Sequence, residues 1–121
     1  MKPTIEYPDF EKVDLRVGLV TAAEMPEWSN KLIQFTVDFG TEIGTKTILS
    51  GVKKWYTPDD FIGKKFPFVV NLAERKMGQA VSQGMMVMAA TESKDAEGNV
   101  VEGAPVVFPL PAQIEPGSII R

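Results

Sequence analysis

The amino-acid sequence predicts an all-β protein, a five-stranded OB-fold Greek-key barrel with a short helix between strands 3 and 4 and a C-terminal extension. Two patterns support this prediction. Five short segments are rich in β-prone residues, most with alternating apolar and polar positions, and one helix signal lies between the third and the fourth. An SH3-like barrel would fit the strand count equally well, but the helix position favours the OB-fold. The length of 121 residues predicts one domain, 1–121, with a core at about 10–90 and an extension at 91–121.

The first predicted strand follows an N-terminal arm. Residues 1–9 contain Pro3 and Pro8, and we expect them to be irregular. From Phe10 to Val20 apolar and polar side chains alternate, which is typical of a strand with one buried face. Gly18 within this strand indicates a bulge or a bend, as the curvature of a small barrel requires.

Strands 2 and 3 follow a predicted loop at residues 21–30. Apolar residues alternate again from Ile33 to Phe39, which predicts strand 2. A turn at residues 42–44, where Gly44 can adopt a positive φ, leads to the β-prone segment Thr45–Ser50, which is predicted as strand 3.

The helix signal lies at residues 57–63. Thr57 can act as the N-cap, Pro58 fits the first helical position, and Gly63 can end the helix. We therefore expect a short helix between strands 3 and 4.

Strands 4 and 5 flank a polar segment. Strand 4 is predicted at residues 65–72, with an edge position or a bulge at Pro67, because proline cannot donate a hydrogen bond to its neighbour. Strand 5 is predicted at residues 85–90. The polar segment between them is expected to form a loop that displays its side chains to a ligand.

The extension contains a candidate hairpin turn at residues 95–99 and then apolar residues almost to its end, including Ile119 and Ile120. Leaving these groups in water would create a large apolar patch, which usually marks an interface. Since most homo-oligomers are two-fold dimers, we predict a homodimer whose interface includes part of the segment Val100–Ile120.

Composition excludes several classes of function. The chain contains no cysteine and no histidine, which excludes thiol catalysis and disulfide frameworks and removes the commonest general base and metal ligand. No apolar run approaches the roughly 20 residues that span a membrane, and the N-terminus lacks the apolar region of a secretory signal. These observations predict a cytoplasmic protein that needs no metal and no cofactor.

The net charge does not by itself indicate that the protein binds nucleic acid. The chain has 13 basic and 16 acidic residues, a net charge of −3. The acidic residues dominate both ends, whereas basic pairs occur in the middle, at Lys53–Lys54, Lys64–Lys65 and Arg75–Lys76. Each pair alone is consistent with ordinary solvated lysines; if the pairs converge on one face, a local positive field can coexist with an acidic total.

No catalytic constellation is visible in the sequence. Ser82 has no histidine to activate it, and the glycines Gly78 and Gly84 lack the Gly-Lys-Thr/Ser ending of a phosphate loop. The spacing of the aspartates does not follow a calcium-loop pattern. We therefore expect a binding protein and not an enzyme.

Residues 71–85 carry the pattern N-L-x-x-R-K-x-G-x-x-x-S-x-G-M, and the first strand reads F-x-K-V-D-L-R-V-G. Over about residues 8–118 the chain resembles the tRNA-binding domain family. That family includes free-standing dimeric tRNA-binding proteins, the C-terminal appendix of methionyl-tRNA synthetases, and the secretion-associated chaperone CsaA. The resemblance implies recognition of tRNA shape without chemistry, at the elbow or outer corner.

The resemblance also implies site residues. The family's Lys-Leu pair, its Asn after strand 4 and its S-x-G-M turn correspond here to Lys31, Asn71, Ser82 and Met85, and its basic loop corresponds to Arg75 and Lys76. Taken alone, Asn71 could equally cap its own loop, and Met85 could be a core residue at a strand start. With Lys53 from the basic pairs and Trp28 from the loop, these residues are the predicted RNA-binding set.

Trp28 marks a departure from the family pattern. The segment Met25–Leu32 is one residue longer than the family's H-P-N-A-D-K-L, lacks its histidine and contains the tryptophan. Trp28 could stack on a base in place of the lost contact, or it could pack over the mouth of the barrel.

Three functions fit the sequence. The first is a non-catalytic tRNA-binding protein that acts alone or in trans with an aminoacyl-tRNA synthetase of the methionyl type. The second is a CsaA-like chaperone that binds unfolded polypeptides through exposed apolar surface. The third is a protein-interaction module whose barrel is only a scaffold.

Overall fold

The computed structural model describes all 121 residues, and most of its regular structure is β-strand. The helical elements are α1 (Tyr7–Glu11), α2 (Gly40–Ile43) and a 3-10 turn (Pro58–Asp60). The strands are β1 (Leu15–Glu24), β2 (Ile33–Asp38), β3 (Thr45–Ser50), β4 (Lys65–Val69), β5 (Arg75–Met77), β6 (Ala80–Ser82), β7 (Met85–Met86), β8 (Met88–Ala89), β9 (Glu92–Lys94), β10 (Val100–Glu102), β11 (Val106–Val107) and β12 (Ile119–Ile120).

The main sheet runs in the order β3-β2-β1-β4-β7, with β12 paired to the start of β1. All pairings are antiparallel, and the sheet curls into a nearly closed barrel. The predicted five-stranded barrel of OB type, with a short helical turn between strands 3 and 4, is therefore confirmed.

The N-terminal arm and the first strand differ from the prediction. The predicted arm ends in α1, where Pro8 lies in the first turn and the Glu6 N–H donates to the Asp9 carboxylate at 3.3 Å. The strand begins only at Leu15 and runs on to Glu24, so the following loop covers residues 25–32 and not 21–30. Pairing of β1 with β2 accounts for the longer strand, and periodicity alone could not show it.

Gly18 serves a different purpose from the one predicted. The register shift in β1 lies between Val20 and Ala22, two residues beyond the glycine. A Cβ at Gly18 would lie 2.5 Å from the Val37 side chain and 2.7 Å from that of Phe68. The glycine therefore allows close packing across the barrel interior.

Pro67 pairs with β1 without a bulge, but it lies beyond the end of the β4–β7 ladder, so of the two predicted alternatives the bulge is absent and the edge position is present on that side. It is paired in register with Val17 of β1. The Val17 N–H donates to the carbonyl of Ser118 and its carbonyl accepts from the N–H of Gly117. Both backbone groups of Val17 therefore point away from Pro67. The Pro67 carbonyl accepts instead from the Val87 N–H on its other side, where the ladder with β7 has already ended at Phe68 and Met86, so the N–H that proline lacks lies beyond that ladder.

Strands 2 and 3 agree closely with the sequence. β3 has the predicted bounds, and in β2 Ile33, Phe35 and Val37 are fully buried while the residues between them are partly exposed. The predicted turn before β3 is a single helical turn, α2, which ends at Gly44 with φ +83°.

Strands 4 and 5 are shorter than predicted. β4 ends at Val69, and the predicted strand at 85–90 is divided into β7, which pairs with β4, and β8, which pairs with β11 of the extension. The division occurs at Val87, whose N–H donates to the Pro67 carbonyl.

Side chains and one backbone bond close the barrel between β3 and the segment before β7. The Leu49 N–H donates to the Ser82 hydroxyl at 3.0 Å, and the Thr47 N–H donates to the Gln83 side-chain carbonyl at 2.9 Å. The Gln83 N–H in turn donates to the Thr47 carbonyl at 2.8 Å. These bonds replace a regular ladder at the seam.

The core is a cluster of twelve buried apolar residues inside the barrel. Phe61, from the 3-10 turn, is fully buried, and its ring lies 4.7 Å from that of Phe35 and 5.5 Å from that of Phe66. The helical turn that its capping residues predict therefore places the Phe61 ring inside the barrel.

The extension lies partly along the barrel. β11 pairs with β8, Leu110 forms a bridge with Lys65, and β12 pairs with the start of β1. The predicted turn at residues 95–99 is confirmed, and it joins β9 and β10 into an exposed hairpin.

Candidate nucleic-acid interface

The polar segment after β4 forms a hairpin where the sequence predicted a loop. β5 and β6 pair with Arg75 opposite Ser82 and Met77 opposite Ala80, so the turn contains two residues. The first of them, Gly78, has φ +64°, as in the type II′ turns that favour two-residue hairpins. In the sequence, Gly78 was the signal that could have predicted this hairpin.

The loop at residues 25–32 packs against this hairpin. The Trp28 ring lies directly over Gly78, where a Cβ would overlap it. The Ser29 hydroxyl accepts from the N–H groups of Lys31 and Leu32, both at 3.2 Å. The Trp28 ring thus packs against the turn of the hairpin, and it remains partly exposed.

Lys53 joins this loop to the segment that follows β3. Its N–H donates to the Lys31 carbonyl at 3.1 Å, and its ammonium donates to the Ser29 carbonyl at 3.3 Å. The loop is thus held from two sides, by the hairpin and by Lys53.

A shallow groove separates the loop from the hairpin. We call it the hairpin groove and define it by Trp28, Lys31, Arg75 and Lys76, which all line it. The three ion pairs of the chain involve only Lys12 and Arg16, so none of these cations is neutralised by an acidic partner. A local positive field therefore coexists with the net charge of −3.

Arg16 shows the contrasting case of a structural cation. Its guanidinium bonds to Asp14 at 2.7 Å and to Glu42 at 3.4 Å, and it also donates to the Gly117 carbonyl. The hydrogen bond to Asp14 raises the pKa of Arg16 above its ordinary value. Arg16 therefore holds the C-terminal segment against β1 and offers no free charge to a ligand.

Arg75 also lines a second depression, which we call the apolar cleft and define by Leu72, Met77 and Met85. Met85 is 48% exposed, so it is not the core residue that its position at a strand start could indicate; its neighbour Met86 is in the core, 5% exposed. A flexible thioether beside a guanidinium offers an apolar contact and a charged one side by side.

Two predicted site residues are engaged inside the protein. The Asn71 side chain accepts from the Asp14 N–H at 2.9 Å and donates to the Lys12 carbonyl at 2.6 Å, so it ties down the N-terminal segment. The alternative role considered for Asn71 was to cap its own loop. Its hydrogen-bond partners lie instead on a distant part of the chain. The buried Ser82 hydroxyl accepts from Leu49 and donates to the Gly84 carbonyl at 3.0 Å.

The structure thus brings Trp28, Lys31, Arg75, Lys76 and Met85 to adjoining depressions around hairpin β5–β6, with Lys53 supporting the loop. Asn71 and Ser82 position the surrounding backbone. Sequence reasoning missed Lys54 and Trp55, which line a further groove with Lys31 and Lys53. No helix in the structure has the length and the hydropathy to span a membrane.

A family model described as "Putative tRNA binding domain" matches residues 15–118. Methionine–tRNA ligase of Bacteroides fragilis is 36% identical over 121 residues, which is 100% of this chain and 16% of the ligase. The chain thus spans about one sixth of the length of such curated relatives.

Solved structures match over nearly the whole chain. A MetRS related protein from Pyrococcus horikoshii superposes with a TM-score of 0.82 at 31% identity, covering 99% of this chain and 100% of the other. The chaperone CsaA from Bacillus anthracis superposes with a TM-score of 0.77 at 27% identity, covering 98% and 100%.

Proposed function

The chain belongs to the tRNA-binding domain family, and from this premise we propose that it is a non-catalytic tRNA-binding protein that recognises tRNA by shape. The observation that carries the proposal is the hairpin groove, where Lys31, Arg75 and Lys76 are exposed, share one surface and lack acidic partners. Free cations on a rigid surface suit the phosphates of a folded RNA, because each phosphate bound releases counterions.

Each residue has a proposed role in this interface. Arg75 forks onto a phosphate or stacks on a base, and Lys31 and Lys76 contact phosphates as point charges. Trp28 and Met85 present apolar surface to bases or riboses. Lys53, Asn71 and Ser82 keep the loop, the N-terminal segment and the seam in place, through the hydrogen bonds described above.

The relatives suggest the setting. Because the matched relatives are methionine–tRNA ligases, we propose that it acts in the cytoplasm, either alone or in trans with an aminoacyl-tRNA synthetase of the methionyl type. Sedimentation of a mixture with a methionyl-tRNA synthetase, with and without tRNA, would show whether such a complex forms.

We also propose a two-fold homodimer. Tyr7, Phe10 and Val13 at α1 are 65%, 44% and 41% exposed, and Ile119 of β12 is 60% exposed; all four line one depression. A contiguous apolar patch of this kind is characteristic of an interface, and a two-fold axis would bury it against its own copy. The interface would then include the end of the segment Val100–Ile120, with α1 added to it.

Arg75→Ala tests the tRNA-binding proposal. Bulk tRNA is titrated by filter binding at two salt concentrations with wild type, Arg75→Ala and Lys64→Ala, an exposed cation that lies outside the hairpin groove. We expect Arg75→Ala to weaken binding and to reduce the salt slope by about one ion, whereas Lys64→Ala leaves both unchanged. Unchanged slope and affinity in Arg75→Ala would exclude Arg75 from the interface.

A CsaA-like chaperone is the second candidate. It is favoured by the exposure of Leu72, Val81 and Met85 near the apolar cleft, at 48%, 43% and 48%. Binding of an unfolded polypeptide through such a surface would persist at high salt, whereas phosphate contacts weaken steeply. The same titration with a reduced, unfolded polypeptide in place of tRNA distinguishes the two functions.

A further inference from the structure

A groove of about 970 Å³ separates the segment after β3 from hairpin β9–β10. We call it the Trp55 groove and define it by Lys31, Lys53, Lys54 and Trp55 on one wall and by Asp95, Val101 and Glu102 on the other. Lys31 also lines the hairpin groove, so this residue borders both depressions. Nothing in the predicted RNA-binding set accounts for Lys54, Trp55 or the hairpin wall.

The first wall combines a π-face with free cations. The Trp55 ring is partly exposed, and the Lys54 ammonium lies 5.5 Å from its centroid. The backbone of Trp55 is held by a turn, since its N–H donates to the carbonyl of the buried Val52. The three lysines have no acidic partner within ion-pair distance. The ammonium lies over the ring, so this wall offers an aromatic surface and a positive charge together, the groups that match the base and the phosphate of a nucleotide.

The opposite wall offers one free acceptor. The Asp95 carboxylate is already engaged, because it accepts from the N–H groups of Glu97 and Asn99 at 3.0 and 2.9 Å. The Glu102 carboxylate accepts no hydrogen bond and forms no ion pair. In the hairpin register Glu102 lies directly opposite Glu92. An ionised carboxylate can accept hydrogen bonds but cannot donate them. It would therefore bind the exocyclic amino group of a base and repel a carbonyl oxygen at the same place.

We propose that the Trp55 groove binds an unpaired nucleotide of the RNA. The base stacks on Trp55, the phosphate lies at Lys54 and Lys53, and an exocyclic amino group donates to Glu102. Cytosine, which carries an amino group at position 4, is therefore preferred over uracil, which carries a carbonyl there. This inference rests on the proposed function, to which it adds a second contact and a base preference.

Oligo(C) and oligo(U) of equal length test the base preference, because they carry the same backbone charge. The protein carries Trp28→Phe, so that its fluorescence reports on Trp55 alone. We expect both oligonucleotides to quench the emission and oligo(C) to bind about threefold to tenfold more tightly, the effect of one net hydrogen bond. Glu102→Gln should lower this ratio towards one, whereas the matched Glu97→Gln, on the same hairpin but outside the groove, should preserve it.

Bulk tRNA then tests the stacking contact. We expect Trp55→Ala to weaken binding by roughly fivefold to a hundredfold and Trp55→Phe to retain most of the affinity, because a phenyl ring still stacks. Thermal unfolding of both variants controls for folding. If wild type binds tRNA while Trp55→Ala binds it equally well and neither oligonucleotide quenches Trp55, the inference is overturned and the proposed function remains. If wild type binds no tRNA, the proposed function itself fails, and the inference that rests on it fails too.

Discussion

A single missing side chain determines where Trp28 lies. Gly78 has φ +64°, a conformation that residues with a Cβ adopt at a cost, and the Trp28 ring occupies the space that a Cβ would need. The turn of hairpin β5–β6 and the packing of the loop therefore depend on the same glycine. This contact positions Trp28, which forms one side of the hairpin groove.

Gly78→Ala should consequently affect both the fold and the groove. We expect a loss of about 1–3 kcal/mol in the free energy of unfolding, from backbone strain and from overlap with the ring. In a Trp55→Phe background the emission of Trp28 should shift to the red as the ring becomes more exposed. Gly51→Ala is the control, because Gly51 has open space around it and no positive φ. Unchanged stability and emission in Gly78→Ala would contradict the contact.

At the scale of elements, the barrel is completed by side chains where no strand ladder forms. Ser82 and Gln83 supply the acceptors for Leu49 and Thr47 of β3. The same segment connects hairpin β5–β6 to β7, so the seam also anchors the hairpin that carries Arg75 and Lys76. A residue that the family resemblance assigns to RNA binding thus has a structural task.

Ser82→Ala should therefore destabilise the protein. Removal of the hydroxyl leaves the N–H of buried Leu49 without its acceptor, which costs about 1–3 kcal/mol. Denaturant unfolding measures this difference, with Ser50→Ala as the control, since the Ser50 hydroxyl makes no hydrogen bond. Wild-type stability with a large loss of tRNA affinity would show instead that the hydroxyl reaches the RNA.

The β9–β10 hairpin has its own pH dependence. Hydrogen bonds from Asn99 lower the pKa of Asp95 below its ordinary value of 3.8. A carboxylate with a lowered pKa stabilises the turn at every pH above that ordinary value, and the contribution is lost as the pH falls through the lowered one. We expect the amide shifts of Glu97 and Asn99, followed by NMR, to show a transition with its midpoint below pH 3.8, and Asp95→Asn to abolish this transition. A midpoint at or above 3.8 would contradict this.

At the scale of the whole molecule, the distribution of charge matters more than its sum. The acidic ends and the basic middle give a net charge of −3, yet five cations without acidic partners line the hairpin groove and the Trp55 groove: Lys31, Lys53, Lys54, Arg75 and Lys76. Two copies joined at α1 and β12 would present two such surfaces to one tRNA, which raises the effective concentration of the second contact.

Phe10→Asp tests the homodimer. Light scattering of wild type should give twice the chain mass of 13.3 kDa, and a charge in the apolar patch should reduce it to 13.3 kDa without unfolding the barrel. Val100→Asp is the control, because Val100 is also exposed but lies on the hairpin, away from the patch. A monomeric wild type would refute the dimer, and dissociation by Val100→Asp alone would move the interface to the hairpin.

The amino-acid sequence by itself determined the features that depend on neighbouring residues. Alternation predicted β2, the propensity of Thr45–Ser50 predicted β3, and capping residues predicted the turn that carries Phe61. Each of these signals extends over a few residues, and the burial of one face then agrees with the local preference. The exposed hairpin turn at residues 95–99 was predictable for the same reason.

Only the tertiary structure decided which of these groups meet. Pro67 is tolerated in β4 because the ladder with β7 ends at Phe68 and Met86, so no ladder continues on the side where its N–H is missing. Asn71 and Ser82 are engaged by distant backbone groups, and Trp55 faces a hairpin that follows it by some forty residues. Such contacts join residues that are remote in the chain, and no local pattern encodes their partners, because the partners are chosen by packing and by the need to satisfy every buried polar group.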